Sequence, residues 1–136
     1  MDRLFLDANI LFSAAYREGS GITQLWTLPC VTLITSPYAI EEARRNLRHQ
    51  DQQHRLSALL SSVVIHRDYP DEALILNSID LRPKDRPILA AAIGARSDYL
   101  ITGDYRDFSA FYGKRINGVL ILPPSDYLLS YTQSTS

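Results

Sequence analysis

Five short apolar runs recur along the chain, none with a strict alternation of polar and apolar residues. They are Arg3-Leu4-Phe5-Leu6-Asp7, Val31-Thr32-Leu33-Ile34-Thr35, Val63-Val64-Ile65, Tyr99-Leu100-Ile101-Thr102 and Gly118-Val119-Leu120-Ile121-Leu122. A strand wetted on one face alternates; one that is apolar throughout is covered on both faces. Helix-like segments fall between the runs. Asn9 to Tyr16 and Ile22 to Leu28 are expected as helices, parted by Gly19-Ser20-Gly21 with Ser20 as a cap. Pro37 to about Arg48, Gln52 to Leu60, residues 71 to 79, and Asp85 to Arg96 complete the set. Strands alternating with helices define an α/β fold: a three-layer α/β/α sandwich around a central, mostly parallel sheet of four to five strands. One domain is expected over residues 1–130, followed by a loose tail at 131–136.

Composition narrows the class without naming a function. A chain of 136 residues buries enough surface for one core without staples. Its longest apolar stretch, Ile88 to Ile93, falls far short of the ~20 residues of a membrane helix. The opening residues carry no secretory leader, and Cys30 is the only cysteine, so a reducing, cytoplasmic setting is expected. The formal net charge is −1, from 14 basic and 15 acidic residues. That balance argues against coating a long phosphate backbone. An enzyme that grips a short stretch and lets a metal neutralise phosphate charge remains compatible with it.

In a parallel sheet, ligands bind at the carboxyl ends of the strands, near the switch in strand order. Two strands end there in an acid, Leu4-Phe5-Leu6-Asp7 and Leu100-Ile101-Thr102-Gly103-Asp104. Aspartate is also a favoured turn and cap residue, but two such acids on neighbouring strands weaken that reading. A third, Asp85, opens a helix whose apolar stripe is Ile88, Leu89, Ala92 and Ile93. Asp85 falls within that stripe, so it serves as an N-cap, as a site residue, or as both. A fourth comes from Ser36-Pro37-Tyr38-Ala39-Ile40-Glu41-Glu42. Glu42 lies about 115° from the centre of the buried stripe and Glu41 about 145°. Glu41 also has Arg45 four residues on, the usual solvated pair. Glu42 is therefore the better candidate. Four converging carboxylates repel one another and gain nothing structural. A hard divalent cation such as magnesium or manganese supplies the reason, and such a site activates water for attack on phosphorus. His49, His54 and His66 share no zinc-ligand spacing with each other or with Cys30.

These blocks resemble the PIN-domain ribonucleases that act as toxin components of prokaryotic toxin–antitoxin pairs. The matching stretches are Leu6-Asp7-Ala8-Asn9-Ile10-Leu11, Ser36 to Glu42, Pro83-Lys84-Asp85 with the helix behind it, and Leu100 to Asp104. Each is weak alone; the four in order are specific. The resemblance implies magnesium- or manganese-dependent cleavage of single-stranded RNA, a homodimer and an antitoxin partner. It also implies that Asp7, Glu42, Asp85 and Asp104 form the catalytic, metal-holding set. Asn9 looks like the polar residue that orients the first acid, or else an N-cap. Asp107 is an outer ligand or a plain helix-start acid. Ser36 and Thr102 are placed to hydrogen-bond a carboxylate or water. Lys84, Arg86 and Arg106 are candidates to contact RNA phosphate, whereas Arg44 and Arg48 read as a solvated face.

Three rival readings are weaker. An aspartate-nucleophile phosphotransferase wants an acid where Asn9 stands. A dinucleotide-binding domain wants a glycine-rich turn that no strand is followed by. The remaining alternative is a catalytically silent module of the same fold that binds protein or RNA, and the presence of all four acids speaks against it.

Overall fold

The computed structural model describes residues 1–75 and 79–135. Its centre is a six-stranded sheet built from β1 (Asp2–Leu6), β2 (Val31–Thr35), β3 (Val64–Ile65), β4 (Tyr99–Ile101), β5 (Arg115–Ile116) and β6 (Val119–Leu122), in the order β3-β2-β1-β4-β6-β5. Every pairing is parallel except the β5–β6 hairpin. β1 and β4 hold the centre, and Leu4, Phe5, Leu6, Leu100 and Ile101 are wholly buried. That burial is why these strands read as unbroken apolar runs. The α-helices are α1 (Ala8–Tyr16), α2 (Pro37–Asn46), α3 (Gln50–Leu60), α4 (Arg86–Gly94), α5 (Tyr105–Phe108) and α6 (Pro124–Thr135). α1 packs against both α2 and α3, and α4 packs against β4.

The sheet is built outward from β1 in two directions. The chain first proceeds to β2 and β3, then returns to place β4 on the other side of β1. The switch in strand order thus lies between β1 and β4, whose carboxyl ends carry Asp7 and Asp104. Ser36 begins α2 as a true N-cap, its Oγ accepting from the Ala39 N–H at 3.2 Å, and Pro37 follows at the first helical position. On the opposite side Tyr127, almost fully buried, donates its hydroxyl to Asp2 Oδ2 at 2.6 Å and packs edge-on against Tyr99. These contacts tie α6 to the central strands.

The structure corrects the sequence reading in several places. The sixth strand, β5, was not anticipated. It pairs through a two-residue turn in which Asn117 and Gly118 both take positive φ (48° and 85°), the geometry of a type I′ hairpin. Gly21–Thr27 forms a 3-10 helix rather than an α-helix, and Ser20 provides no side-chain cap. Instead of a helix over 71–79 there is one 3-10 turn at Glu72–Leu74; residues 76–78 of that expectation lie outside the described residues. The segment from Tyr131 to Thr135, read from the sequence as a loose tail, continues α6. Among the described residues no helix is long and apolar enough to cross a membrane.

Candidate acidic cleft

Asp7 follows β1 directly and opens α1, so the sheet's own backbone fixes it. Its amide continues the ladder to the Ile101 carbonyl, and the side chain is 3% exposed. Three donors converge on its carboxylate: the Ala8 N–H on Oδ1 at 2.6 Å, and Thr102 Oγ1 and Asn9 Nδ2 on Oδ2 at 2.8 and 3.1 Å. Oδ2 is therefore saturated, while Oδ1 keeps a free lone pair. Burial pushes the Asp7 carboxyl up to about 6; the Thr102 and Ala8 hydrogen bonds oppose this, and the charges of Glu42 and Asp104 reinforce it.

Asn9 orients Asp7 rather than capping the helix, since Asp7 itself occupies the N-cap. Its amide oxygen also accepts the Gly103 N–H at 2.7 Å. A Cβ on Gly103 would come within 3.3 Å of that oxygen, so the bare glycine lets the β4 turn close on α1. Thr102, fully buried, donates to Asp7 and accepts the Asp104 N–H at 3.1 Å, which links the two strand-end acids. The Ser36 hydroxyl oxygen caps α2 by accepting the Ala39 N–H.

Asp85 occupies the N-cap position of α4 but makes no capping hydrogen bond. It is 5% exposed, and its Oδ2 has no hydrogen-bond partner. A buried carboxylate oxygen left in that state is costly unless something else binds it. The capping alternative for Asp85 thus fails, and the carboxylate faces a cluster instead. One oxygen each from Asp85, Asp104 and Asp107 lie within 4.8 Å of one another. Asp107, read from the sequence as an outer residue, stands inside this group. Asp104 caps α5 by accepting the Asp107 N–H at 3.1 Å, and that turn swings Asp107 toward Asp85. Burial, with Asp107 alongside, raises the Asp85 carboxyl well above the usual carboxylate range. The Asp85 carboxyl alongside, together with Lys84 and Arg82, holds Asp107 low.

One cation serves all three acids. Lys84 Nζ lies 3.1 Å from Asp107 Oδ2, 3.5 Å from Asp85 Oδ1 and 3.9 Å from Asp104 Oδ2, and its side chain is 54% exposed. Burial lowers the ammonium's affinity for its proton, but the Asp107 hydrogen bond and the three negative charges outweigh this and raise it. Arg82 adds a second cation on Asp107, at 3.2 Å.

A cleft of about 640 Å³ is lined by Asp7, Asn9, Glu42, Lys84, Asp85 and Asp104, with Phe12, Arg45 and Asn46 among its other walls. All four acids singled out in the sequence border this one space. Glu42 reaches it from α2, while Glu41 is exposed and paired with Arg45 at 3.7 Å. Asn46 was not anticipated there; it and Arg45, one of the basic residues of α2 able to hold phosphate, sit four and three residues after Glu42, a spacing that puts side chains on one helix face. Of the proposed phosphate contacts, only Lys84 lines the cleft. Arg86 turns away to Glu72 and the Ile79 carbonyl, each at 3.4 Å, and Arg106 stands exposed on α5 outside the lining. Hard oxygen donors, one of them buried without a partner, suit magnesium or manganese better than a soft ion.

A mostly parallel α/β sheet with a carboxylate cleft at its topological switch defines a class of acidic-site α/β domains. The family model described as PIN domain matches residues 3–106, and the chain belongs to the PIN domain family. Solved structures share the fold. VapBC2 from Rickettsia felis, bound to a DNA fragment from its promoter, superposes with a TM-score of 0.66 at 15% identity, covering 89% of this chain and 98% of that one. FitAB bound to the IR36 DNA fragment gives 0.55 at 19%, covering 89% and 94%. VapC20 of Mycobacterium tuberculosis, a Sarcin-Ricin loop cleaving toxin, gives 0.51 at 17%, covering 79% and 93%. No curated protein matches the chain.

Proposed function

We propose that this chain is a metal-dependent endoribonuclease of the PIN family and the toxin of a toxin–antitoxin pair, cutting single-stranded RNA in its acidic cleft. The observation that carries the reading is the buried, unpartnered Oδ2 of Asp85 beside two further carboxylates, in a cleft that Asp7 and Glu42 also border. Asp7, Glu42, Asp85 and Asp104, with Asp107 joining them, are the residues that would hold magnesium or manganese. When bound, such an ion supplies an activated water and neutralises charge on the phosphoryl oxygens. The protein's own part is placement. Asn9 and Thr102 fix the Asp7 carboxylate, and Lys84 at the mouth presents an ammonium to a backbone phosphate. The family membership and the toxin–antitoxin names of the structural neighbours support the toxin assignment; an antitoxin partner, a homodimer and a cytoplasmic setting belong to the same proposal.

Incubation of the purified protein with defined single-stranded RNAs tests the nuclease reading. Manganese should yield discrete cleavage and a chelator should stop it. A protein inert in both conditions is instead a silent interaction module. Expression without a partner should slow growth, and the Asp85→Asn variant should not; equal growth of the two would remove the toxin label.

A further inference from the structure

A second groove, of about 310 Å³, opens beside the acidic cleft on the far side of Tyr38 and has a mostly apolar wall. Pro37, Tyr38, Tyr69, Pro70 and Pro87 supply flat ring surfaces, Arg67 supplies a cation, and two acids, Asp68 and the Arg86-paired Glu72, also line the groove. Tyr69 is 94% exposed, and among the described residues its ring stacks on no other ring and Arg67 pairs with no acid. An aromatic ring so fully in water contributes nothing to the fold.

The groove and the cleft share no lining residue, but Tyr38 and Pro87 of the groove adjoin residues of the cleft. Tyr38 donates its hydroxyl to the Lys84 carbonyl at 2.8 Å and stands one helical turn before Glu42, so their Cβ atoms are about 5–6 Å apart. Pro87 follows Asp85 by two residues on α4. Tyr38 thus stands between the two cavities, lining the groove while its hydroxyl bonds Lys84 of the cleft, so an RNA strand that seats a phosphate on Lys84 has the groove as its neighbouring surface.

We infer that this groove is a nucleobase subsite: Tyr69 stacks on a base adjoining the scissile phosphate, and Arg67 lies against that base or its ribose phosphate. The inference rests on the ribonuclease reading and deepens it. Rings and prolines offer planar faces that any base can cover, so the subsite adds affinity with little sequence preference. A guanidinium in no ion pair among the described residues adds cation–π attraction to a stacked π-system. An open, shallow wall suits a flat base better than it suits a protein anchor, which is held in a desolvated pocket.

The test uses a single-stranded RNA that the wild type cuts in manganese, with the cut mapped, and matched RNAs abasic at either nucleotide flanking the cut. Tyr69→Ala should lower kcat/KM on the intact RNA roughly 10- to 100-fold, with an unchanged melting temperature because the ring packs against nothing. Removing the base that Tyr69 contacts should lower wild-type kcat/KM to the same level, and on that abasic RNA the variant should match the wild type. Arg67→Ala should follow the same pattern with a smaller loss. Equal losses on intact and abasic RNA, or no loss on intact RNA, would overturn the subsite and leave the nuclease standing; the second result is also what a protein occupant of the groove would give. A wild type that cuts no RNA removes both readings.

Discussion

Asp7→Asn is expected to abolish manganese-dependent RNA cleavage, with a loss of at least about 10²-fold in kcat/KM, while the protein folds as before. The carboxylate is buried and already carries three hydrogen bonds, so asparagine fills the same volume and keeps the Ala8 contact through its carbonyl, while its amide meets the Thr102 and Asn9 donors. What it removes is a negative charge facing the cleft. That charge is a burden to the metal-free protein, because burial raises the carboxyl to about 6 from an unfolded value near 3.8. Between about pH 4 and pH 6 the folded state holds the Asp7 proton that the unfolded chain has released, so stability falls as pH rises through that window. Two pKa units correspond to about 3 kcal/mol, against which asparagine's imperfect match to its donors costs about 1–3 kcal/mol. Melting curves in chelator should therefore show a flatter pH dependence in the variant, and at pH 7 a midpoint equal to the wild type's or higher. A variant that cuts RNA at the wild-type rate would remove Asp7 from the chemistry. One that loses activity and melts many degrees lower would show that Asp7 is structural.

The strands and their terminal acids were legible in the sequence because both depend on local pattern. Central parallel strands are buried on two faces, so β1 and β4 announce themselves as unbroken apolar runs, and the residue after each lies at the sheet's carboxyl edge. Glu42 was separable from Glu41 because helical angle alone decides which of two neighbours faces solvent. The 3-10 geometry of Gly21–Thr27 was not legible, since apolar spacing barely distinguishes a 3.0 from a 3.6 residue repeat over seven residues. The β5–β6 hairpin had a signal that went unread: Asn117-Gly118 is the preferred pair for a type I′ turn, but the two-residue strand before it is too short to show periodicity. Asp107 and Lys84 were named in the sequence, but their places in the acidic cluster were not legible, for a different reason. Whether Asp107 turns toward Asp85 depends on the cap that Asp104 makes to its amide, and whether Lys84 folds over the acids depends on four side-chain torsions. Both are set by tertiary packing. Asp85 illustrates the converse case. The sequence left its cap and site roles open; the absent capping hydrogen bond removes the first, and the second belongs to the proposed function.

Lys84→Met should weaken the metal-free protein and at the same time strengthen its response to manganese. The ammonium lies within 4 Å of three carboxylates, and methionine keeps most of the apolar stem while deleting the charge. Without it Asp107 retains Arg82, but Asp85 and Asp104 repel each other uncompensated. Because Lys84 is about half exposed, solvent screens these pairs, and the loss should be about 1 kcal/mol. That corresponds to a midpoint lower by about 3–6 °C in chelator at this chain length. A divalent cation binding the wild type must displace or outcompete the ammonium, whereas in the variant it meets the acids unopposed. The manganese-induced rise in midpoint, which follows from binding to the folded state alone, should therefore exceed the wild type's at equal metal concentration. RNA affinity should move the other way, since the phosphate contact is gone; binding measured in calcium with the Asp7→Asn background would isolate that term from cleavage. Thermal curves that superimpose on the wild type with and without manganese would show that Lys84 does not serve as counter-ion to the cluster. A variant stabilised less than the wild type by the metal would place the ion away from Asp85, Asp104 and Asp107.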